Sequence, residues 1–294
     1  MNRTLWLAGM LVWVVGPPPL LHAQPRYPAA GLVLKIDRPL RTMTVSCEEI
    51  PGFMAAMVMP FSVRSAQSLE NLQPGMMIEF TLVVTKQNSY AENVHLRSYH
   101  SAEREPAKAE RLETFEKLIG GKTGSPRIGV GQVVPEFTLT DQKSDPVRLS
   151  QFAGKVVALN FVYTRCVLPD YCFRLSNHFG QLQKRFRPVL GRDLILLTVT
   201  FDPVHDRPDI LDHYAETWKA NHETWHFLTG SAADVQRVCD MFGVGFFPDE
   251  GLVTHSLHTA IIDRQGKLVT NLEGNQFTEQ ELGDMIQTVL DRPR

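Results

Sequence analysis

Apolar residues follow two different patterns along the chain. From about residue 31 to residue 99 they alternate with polar residues in short runs that end at turns, a pattern typical of half-buried strands. After residue 131, continuous apolar runs such as 156–162 and 194–199 are each followed by a segment of helical periodicity. Such runs are typical of βαβ units whose strands are buried on both faces. The pattern predicts a small all-β unit followed by an α/β unit.

The two patterns also predict individual strands and helices. In the first unit we expect a small closed or nearly closed β-barrel with a turn at Pro74-Gly75. Its strands are predicted over residues 31–36, 43–45, 57–61 and 78–84. Helices of the second unit are predicted over residues 173–190, 208–220, 232–242 and 278–290. Its later strands are predicted over residues 225–228, 257–263 and 268–271, the last two forming a hairpin.

The chain begins with a segment typical of a secretory signal. Arg3 precedes an uncharged apolar run over residues 5–15, three prolines follow, and Ala23 supplies a small residue for cleavage. The run is shorter than the roughly 20 residues of a membrane helix. We therefore expect export to the periplasm, where thiols can oxidise, and membrane association only if the signal stays uncleaved.

Between the two units the composition changes to Glu, Lys, Arg and Ala and then to Gly. This change is typical of a linker, and a short helix is predicted over residues 107–118. The predicted organisation is a signal peptide over residues 1–23, the barrel over 28–100, the linker over 101–128 and the α/β domain over 129–294.

Charge and cysteine content narrow the classes of function. The 294 residues include 30 Lys and Arg and 32 Asp and Glu, a formal net charge of −2. Because no global positive field exists to hold a polyanion, a nucleic-acid partner is not expected. Four cysteines are too few for a disulfide scaffold, so each has to be interpreted singly.

Cys166 and Cys172 lie between the predicted strand 156–162 and the helix that follows it. The N-terminus of a helix presents unpaired N–H groups and a positive dipole end, which stabilise a thiolate as nucleophile and metal ligand. The alternative is a structural disulfide that only staples the loop. The position between strand and helix favours a functional pair.

Three motifs in order resemble the Sco/SenC copper-chaperone family, which has a thioredoxin fold. The first motif resembles the beginning of the family's domain and comprises VVPEFTLTD at 133–141, FAGKVV at 152–157 and NFVYTRC at 160–166. The second, VTFDPVHD at 199–206, resembles the segment after the family's next strand. The third, THS at 254–256, resembles the family's histidine motif.

The resemblance implies a metal site in the second domain. Cys166 and Cys172 would be copper thiolates and His255 the imidazole ligand, and soft thiolates do select Cu(I). The chain departs from the family in having five residues between its cysteines instead of three, and Phe173 where the family has Pro. A longer loop is expected to alter how the two sulfurs meet a metal ion.

The main alternative on the same fold is a thiol-disulfide oxidoreductase with Cys166 and Cys172 as catalytic residues. Two features weigh against it. The chain has no Cys-x-x-Cys motif, and no Pro lies between residues 250 and 291, where thioredoxins place the proline that faces their cysteines. His255 occupies that region instead.

A second metal site is predicted in the barrel. Met57 and Met59 point to the same face of a strand, so their thioethers can converge on one ion; the alternative is that they fill the barrel core. The segment resembles the metal strand of CusF-like copper-binding barrels of the OB type. That resemblance implies Cys47 as a ligand at the position where many relatives have His. The relatives also place an aromatic ring beside the ion, and here that position would be taken by Phe53 or, in its place, Met54. The alternative for Cys47 is a thiol with no metal role.

Other candidate residues receive structural interpretations. His258 is expected on the opposite side of a strand from His255 and is interpreted as packed or exposed, not as a ligand. His178 and His205 are expected to be solvated. The helix that begins at residue 208 is expected to be capped by Asp206 or to have no cap. Cys239 has apolar neighbours at helical spacing, so we expect it to be buried.

The resemblances and the residues together predict an exported two-domain metallochaperone. It would deliver or buffer copper, as Cu(I) with Cu(II) left open, and its recipient would be a protein such as a cytochrome c oxidase subunit. We expect a chaperone more than an enzyme. A mobile linker is expected to tether the two copper modules and so raise their effective concentration. A third class, a structural domain stapled by Cys166 and Cys172, stays open.

Overall fold

The computed structural model describes residues 24–97, 127–249 and 252–293. The predicted export signal (residues 1–23) and nearly all of the predicted linker (residues 101–128), with its helix over 107–118, lie outside the described residues. Within the described ranges, no helix combines the length and the apolar character that a membrane crossing needs.

The first unit is a closed barrel of five strands. The strands are β1 (Arg26–Asp37), β2 (Thr42–Cys47), β3 (Met57–Val63), β4 (Met77–Val84) and β5 (Ser89–Leu96). Their order around the barrel is β1-β2-β3-β5-β4, and β1 closes it by pairing with β4. The predicted small barrel is confirmed. Strand β5 is absent from the sequence-based set because Glu92 and Asn93 interrupt its apolar alternation, and pairing with β4 forms it.

Strands β1 and β2 approach each other very closely at Gly31. This residue pairs with Cys47, and a Cβ atom on it would lie 2.2 Å from the Ser46 carbonyl oxygen and 2.9 Å from Cys47 Cα. Only glycine avoids both overlaps. Gly31 therefore lets the end of β2, which carries Cys47, sit tightly in the barrel wall.

The second unit has a central five-stranded sheet and two small hairpins. The hairpins pair β6 (Thr138–Thr140) with β7 (Pro146–Arg148), and β11 (Phe246–Asp249) with β12 (Leu252–His255). The sheet strands are β8 (Val156–Val162), β9 (Leu194–Thr200), β10 (Trp225–Leu228), β13 (His258–Ile262) and β14 (Leu268–Glu273). Their order is β10-β9-β8-β13-β14, with β8, β9 and β10 parallel and β13 antiparallel to β8. All residues of β8 and β9 are buried, as their apolar runs predict.

The helices agree with the predicted ones at their starts and differ at two of their ends. They are α1 (Arg174–Arg185), α2 (Pro208–Thr217), α3 (Ala232–Phe242) and α4 (Glu279–Leu290). Helix α1 ends at Arg185 instead of residue 190 because Pro188 lacks an N–H and disfavours helical geometry at Arg187. Helix α2 ends at Thr217 instead of residue 220, and Lys219 has a positive φ of 51°.

Two of the histidine predictions are wrong. His178 is buried, not solvated: it packs beside Phe277 with ring centroids 5.6 Å apart, and burial lowers its pKa to about 4. His255 and His258 do not share a strand, because His255 ends β12 and His258 begins β13. His205 has an exposed side chain, as predicted.

The barrel packs directly against the second unit, in addition to the tether that the predicted linker provides. Leu32 and Leu34 on β1 belong to the same buried cluster as apolar residues of α1 and α4. At the barrel turn, Gly75 has a φ of +92°, and a Cβ atom there would lie 1.8 Å from Thr270 Oγ1 on β14. Glycine is needed at this contact because of the positive φ and because a side chain would overlap Thr270. The two units therefore share an apolar core.

Candidate metal sites

The structure brings together the three predicted ligands of the second unit. Cys166 lies in the loop after β8, Cys172 in a single π-helical turn before α1, and His255 at the end of β12. Their ligand atoms all lie within 4.8 Å of one another, and Cys172 Sγ is 3.7 Å from His255 Nε2. Among the described residues, this is the only group of three His, Cys, Asp or Glu side chains with such spacing. The five-residue spacer between the cysteines therefore does not keep the two sulfurs apart.

The two thiols differ in protonation. Hydrogen bonding from Cys172 lowers the pKa of Cys166 to about 4, although burial opposes this shift. Cys172 is almost fully buried, and desolvation raises its pKa well above the ordinary value. At neutral pH the pair therefore holds one thiolate and one thiol. The partner thiol is the largest cause, and backbone hydrogen bonds from Leu168 and Cys172 lower the pKa of Cys166 further.

A backbone carbonyl orients His255. Nδ1 lies 2.9 Å from the carbonyl oxygen of Ser256, and because a carbonyl only accepts, Nδ1 carries the proton of this bond. In the neutral ring Nε2 then presents its lone pair on the side of Cys172. A fixed tautomer of this kind is how proteins commonly prepare an imidazole as a metal ligand.

Aromatic rings enclose the histidine. The ring centroid of His255 is 4.4 Å from that of Phe201 and 5.7 Å from that of Tyr163, both of which are buried. Burial also raises the pKa of Tyr163 to about 12. The imidazole is therefore held in an apolar wall that leaves it few alternative orientations.

A buried carboxylate anchors the cysteine loop. Asp206 accepts hydrogen bonds from the backbone N–H of Thr164 at 3.0 Å, from Thr164 Oγ1 at 2.5 Å and from Thr200 Oγ1 at 2.5 Å. Of the two expectations for α2, the second holds, because the residue at the cap position is Arg207, which makes no capping side-chain bond. Instead Asp206 holds the loop that begins at Thr164, a role that sequence reasoning missed.

A second carboxylate of the same segment holds the loop at its surface. Asp202 accepts a hydrogen bond from Arg165 Nη2 at 2.7 Å and lies 2.8 Å from His205 Nδ1. Arg165 directly precedes Cys166 in the chain. The sequence signal for this role is the pair of acidic residues in the segment after β9, Asp202 and Asp206.

In the barrel, the predicted ligands lie on two neighbouring strands. Cys47 on β2 is paired directly with Met57 on β3, and Met59 lies two residues further along the same strand. Paired residues project to the same face, so all three side chains share a face. Cys47 is buried, Met59 is half-buried, and Met57 is 45% exposed.

Burial controls the protonation of the barrel thiol. Desolvation, with smaller contributions from Glu48 and Glu281, raises the pKa of Cys47 to about 11. The thiol is therefore protonated at neutral pH, and a metal ion that binds it as a thiolate has to displace a proton.

Phe53 and Met54 are the two candidates for the position beside the ion that an aromatic ring occupies in the barrel's relatives. Phe53 is 42% exposed and stacks on Tyr27 with ring centroids 4.1 Å apart. Met54 is half-buried, packs against the barrel core and bridges to Ile50. Both residues lie in the segment that leads into β3, and the stacked Phe53 ring is engaged by Tyr27.

Alkylation should report the thiolate of the second unit. Because a thiol with a pKa of about 4 is already ionised, the reaction of Cys166 with iodoacetamide should change little between about pH 6 and about pH 8. The thiolate fraction of an ordinary cysteine rises by roughly tenfold per pH unit below its pKa. Peptide mass mapping of the metal-free reduced protein measures the rate, and Cys172 should react far more slowly. A rate at Cys166 that climbs by roughly tenfold per unit would contradict the assignment.

Comparison with known proteins adds two family matches. The SCO1/SenC family model matches residues 126–291, and the model described as copper binding periplasmic protein CusF matches residues 26–95. The two matched regions correspond to the two structural units.

Individual relatives agree with the first match. The chain is 26% identical to Protein sco1 of Schizosaccharomyces pombe over 204 residues, which cover 67% of this chain and 72% of the relative. It is 26% identical to the SCO1 protein homolog of Bacillus subtilis over 163 residues, covering 53% of this chain and 80% of the relative. The crystal structure of a SCO1/SenC family lipoprotein from Bacillus anthracis aligns with a TM-score of 0.50 and 22% identity, over 57% of this chain and 100% of that one. The predicted thioredoxin-like α/β fold is confirmed.

Proposed function

The chain belongs to the SCO1/SenC family, and we propose that it is a copper metallochaperone with one Cu(I) site in each domain. The observation that carries the proposal is the convergence of Cys166, Cys172 and His255, whose ligand atoms lie within 4.8 Å of one another. Two sulfurs and one imidazole nitrogen form a soft, low-coordinate donor set that suits Cu(I).

The chemistry of the second domain supports this donor set. The thiolate of Cys166 is available at neutral pH, whereas Cys172 releases a proton when it binds the ion. His255 is already oriented by the Ser256 carbonyl. One ligand is therefore ionised and one is aligned before the ion arrives, which lowers the cost of binding.

The barrel is proposed as the second copper site, held by Met57, Met59 and Cys47. Its support is the shared face of the three side chains and the match to the model of the copper binding periplasmic protein CusF. Thioethers and thiolates are the ligands that Cu(I) prefers. The exposed Met57 would receive or release the ion, and the buried Cys47 would retain it.

The proposed location is the periplasm, because the first 23 residues have the charge, apolar run and small residue of an export signal. The proposed recipient is a protein with its own copper site, such as a subunit of cytochrome c oxidase. Delivery would proceed by ligand exchange at Cys166, which is the more exposed of the two cysteines.

X-ray absorption tests the ligand set of the second domain. The full chain with Met57→Leu and Met59→Leu, loaded with one equivalent of Cu(I), should give a spectrum that fits two sulfur ligands and one nitrogen ligand. Adding His255→Ala should remove the nitrogen. Adding His213→Ala, a change at a histidine of α2 whose side chain is 87% exposed, should leave the spectrum unchanged. A spectrum without sulfur ligands, or one that His255→Ala does not alter, would refute the proposed site.

A second candidate function is thiol-disulfide exchange by Cys166 and Cys172. The observation that favours it is a thiolate of low pKa beside a second thiol, the arrangement that attacks a disulfide and then resolves the mixed disulfide. Reduction of insulin by the metal-free reduced chain measures this activity. Turnover that Cys166→Ser abolishes would favour the exchange enzyme, whereas the copper proposal expects negligible turnover.

A further inference from the structure

Helix α4 of the second domain lies along the part of the barrel that carries the proposed ligands. Ser46 Oγ on β2 donates a hydrogen bond to Asp284 Oδ2 at 2.7 Å, and Ser46 is almost fully buried. Gln280 Nε2, one turn earlier on α4, donates to the carbonyl oxygen of Ala56 at 3.4 Å. Two polar residues of one helix therefore bond to two positions of the barrel, one through the Ser46 side chain and one through the Ala56 backbone.

Each of these positions directly precedes a proposed copper ligand. Ser46 precedes Cys47 and Ala56 precedes Met57, and Cys47 and Met57 are themselves paired across β2 and β3. Side chains alternate along a strand, so Ser46 turns outward to α4 while Cys47 turns to the opposite face. The helix thus contacts the back of the strands whose other face carries the ligands.

The contact from α4 is itself supported by α1. Arg185 at the end of α1 lies 2.5 Å from Asp284 Oδ1, so the carboxylate is bonded on both of its oxygens. Only 11% of the Asp284 side chain is exposed. A carboxylate held in this way has little freedom to rotate when it accepts the hydrogen bond from Ser46. Hydrogen bonds to a charged group are also stronger than those between neutral groups.

We propose that Asp284 and Gln280 are positioning residues for the copper site of the barrel, acting through Ser46 and Ala56. The inference rests on the proposed barrel site. Helix α4 fixes the spacing of β2 and β3 at the ligand pair, so that the Cys47 thiol and the Met57 thioether meet the ion without further ordering of the strands. The Cu(I) affinity of the barrel therefore depends on the docked second domain.

A double-mutant cycle tests the Ser46 to Asp284 contact. The background is the full chain with Cys166→Ser and Cys172→Ser, which leaves the barrel as the Cu(I) site, and the affinity is measured by competition with bicinchoninate. Ser46→Ala and Asp284→Ala should each weaken binding by about tenfold, a typical effect for a residue that supports a metal ligand. The double variant should be no weaker than the weaker single variant, because both changes remove one interaction.

Controls separate positioning from general destabilisation. Gln287→Ala removes another polar side chain of α4, which donates to Asp291 Oδ1 at the end of the same helix, and should leave the affinity unchanged. In a chain with Met57→Leu and Met59→Leu, Ser46→Ala should not alter the affinity of the Cys166 site. Thermal unfolding of each variant checks that the chain is folded.

The outcomes distinguish this inference from the proposed function. If the background chain binds Cu(I) and neither single variant changes the affinity, the inference alone is overturned. The same holds if the effects of Ser46→Ala and Asp284→Ala on the affinity add in the double variant. Absence of Cu(I) binding by the background chain would overturn both the barrel site and its positioning by α4.

Discussion

Replacing Cys166 and Cys172 together with serine should remove one of the two Cu(I) ions that the fully reduced chain binds. The two sulfurs are the soft ligands of the second domain, and a serine hydroxyl is a hard, weak donor for Cu(I). His255 alone then remains of the three ligand atoms that lie within 4.8 Å of one another. The expected result is a complete loss of this ion at competitor concentrations that leave the barrel site filled.

The matched control for this variant is Cys239→Ala. Cys239 is fully buried on α3, and desolvation raises its pKa far above the ordinary value. Its removal deletes a thiol from the same domain without touching the cluster, so both ions should stay bound. Retention of both ions by the double serine variant would show that the sulfurs of Cys166 and Cys172 are not ligands.

Replacing Met57 and Met59 together with leucine should remove the other Cu(I) ion. Leucine keeps the volume and apolar character of methionine and lacks the thioether, and such exchanges usually cost less than about 1.5 kcal/mol of stability. Met57 is 45% exposed, so the fold should depend little on it. The measurement is the Cu(I) content of the double variant after competition with bicinchoninate.

Met76→Leu with Met77→Leu is the matched control in the same barrel. Both residues are partly buried, and they pack against the barrel core and the shared core respectively. The control should keep both ions and should show a similar change in the unfolding temperature. Equal losses of Cu(I) in the two pairs would indicate that barrel stability, and not the thioethers of Met57 and Met59, determines binding.

The fold was predictable where one residue pattern dominates a segment. The apolar runs of β8 and β9 mark buried strands, and Ser231 and Gly243 mark the two ends of α3. Strand β5 was not predictable in this way, because its polar residues acquire their structure from pairing with β4. Contacts between distant segments, such as that of Leu32 with the core of the second domain, leave no local pattern.

The candidate site was predictable as a set of residues and not as an electrostatic arrangement. The motifs single out Cys166, Cys172 and His255, and the fold brings them together. The low pKa of Cys166 arises from its neighbour Cys172, a relation that depends on how the loop closes. The loop is anchored by Asp206, whose three bonds join segments that the sequence separates.

The most direct test of a two-site copper protein is a Cu(I) titration of the fully reduced full chain against bicinchoninate. We expect two ions per chain, one in the chain with Cys166→Ser and Cys172→Ser, one in the chain with Met57→Leu and Met59→Leu, and none in the chain with all four changes. A wild-type chain that binds a single ion, or a chain with all four changes that still binds Cu(I), would contradict this expectation.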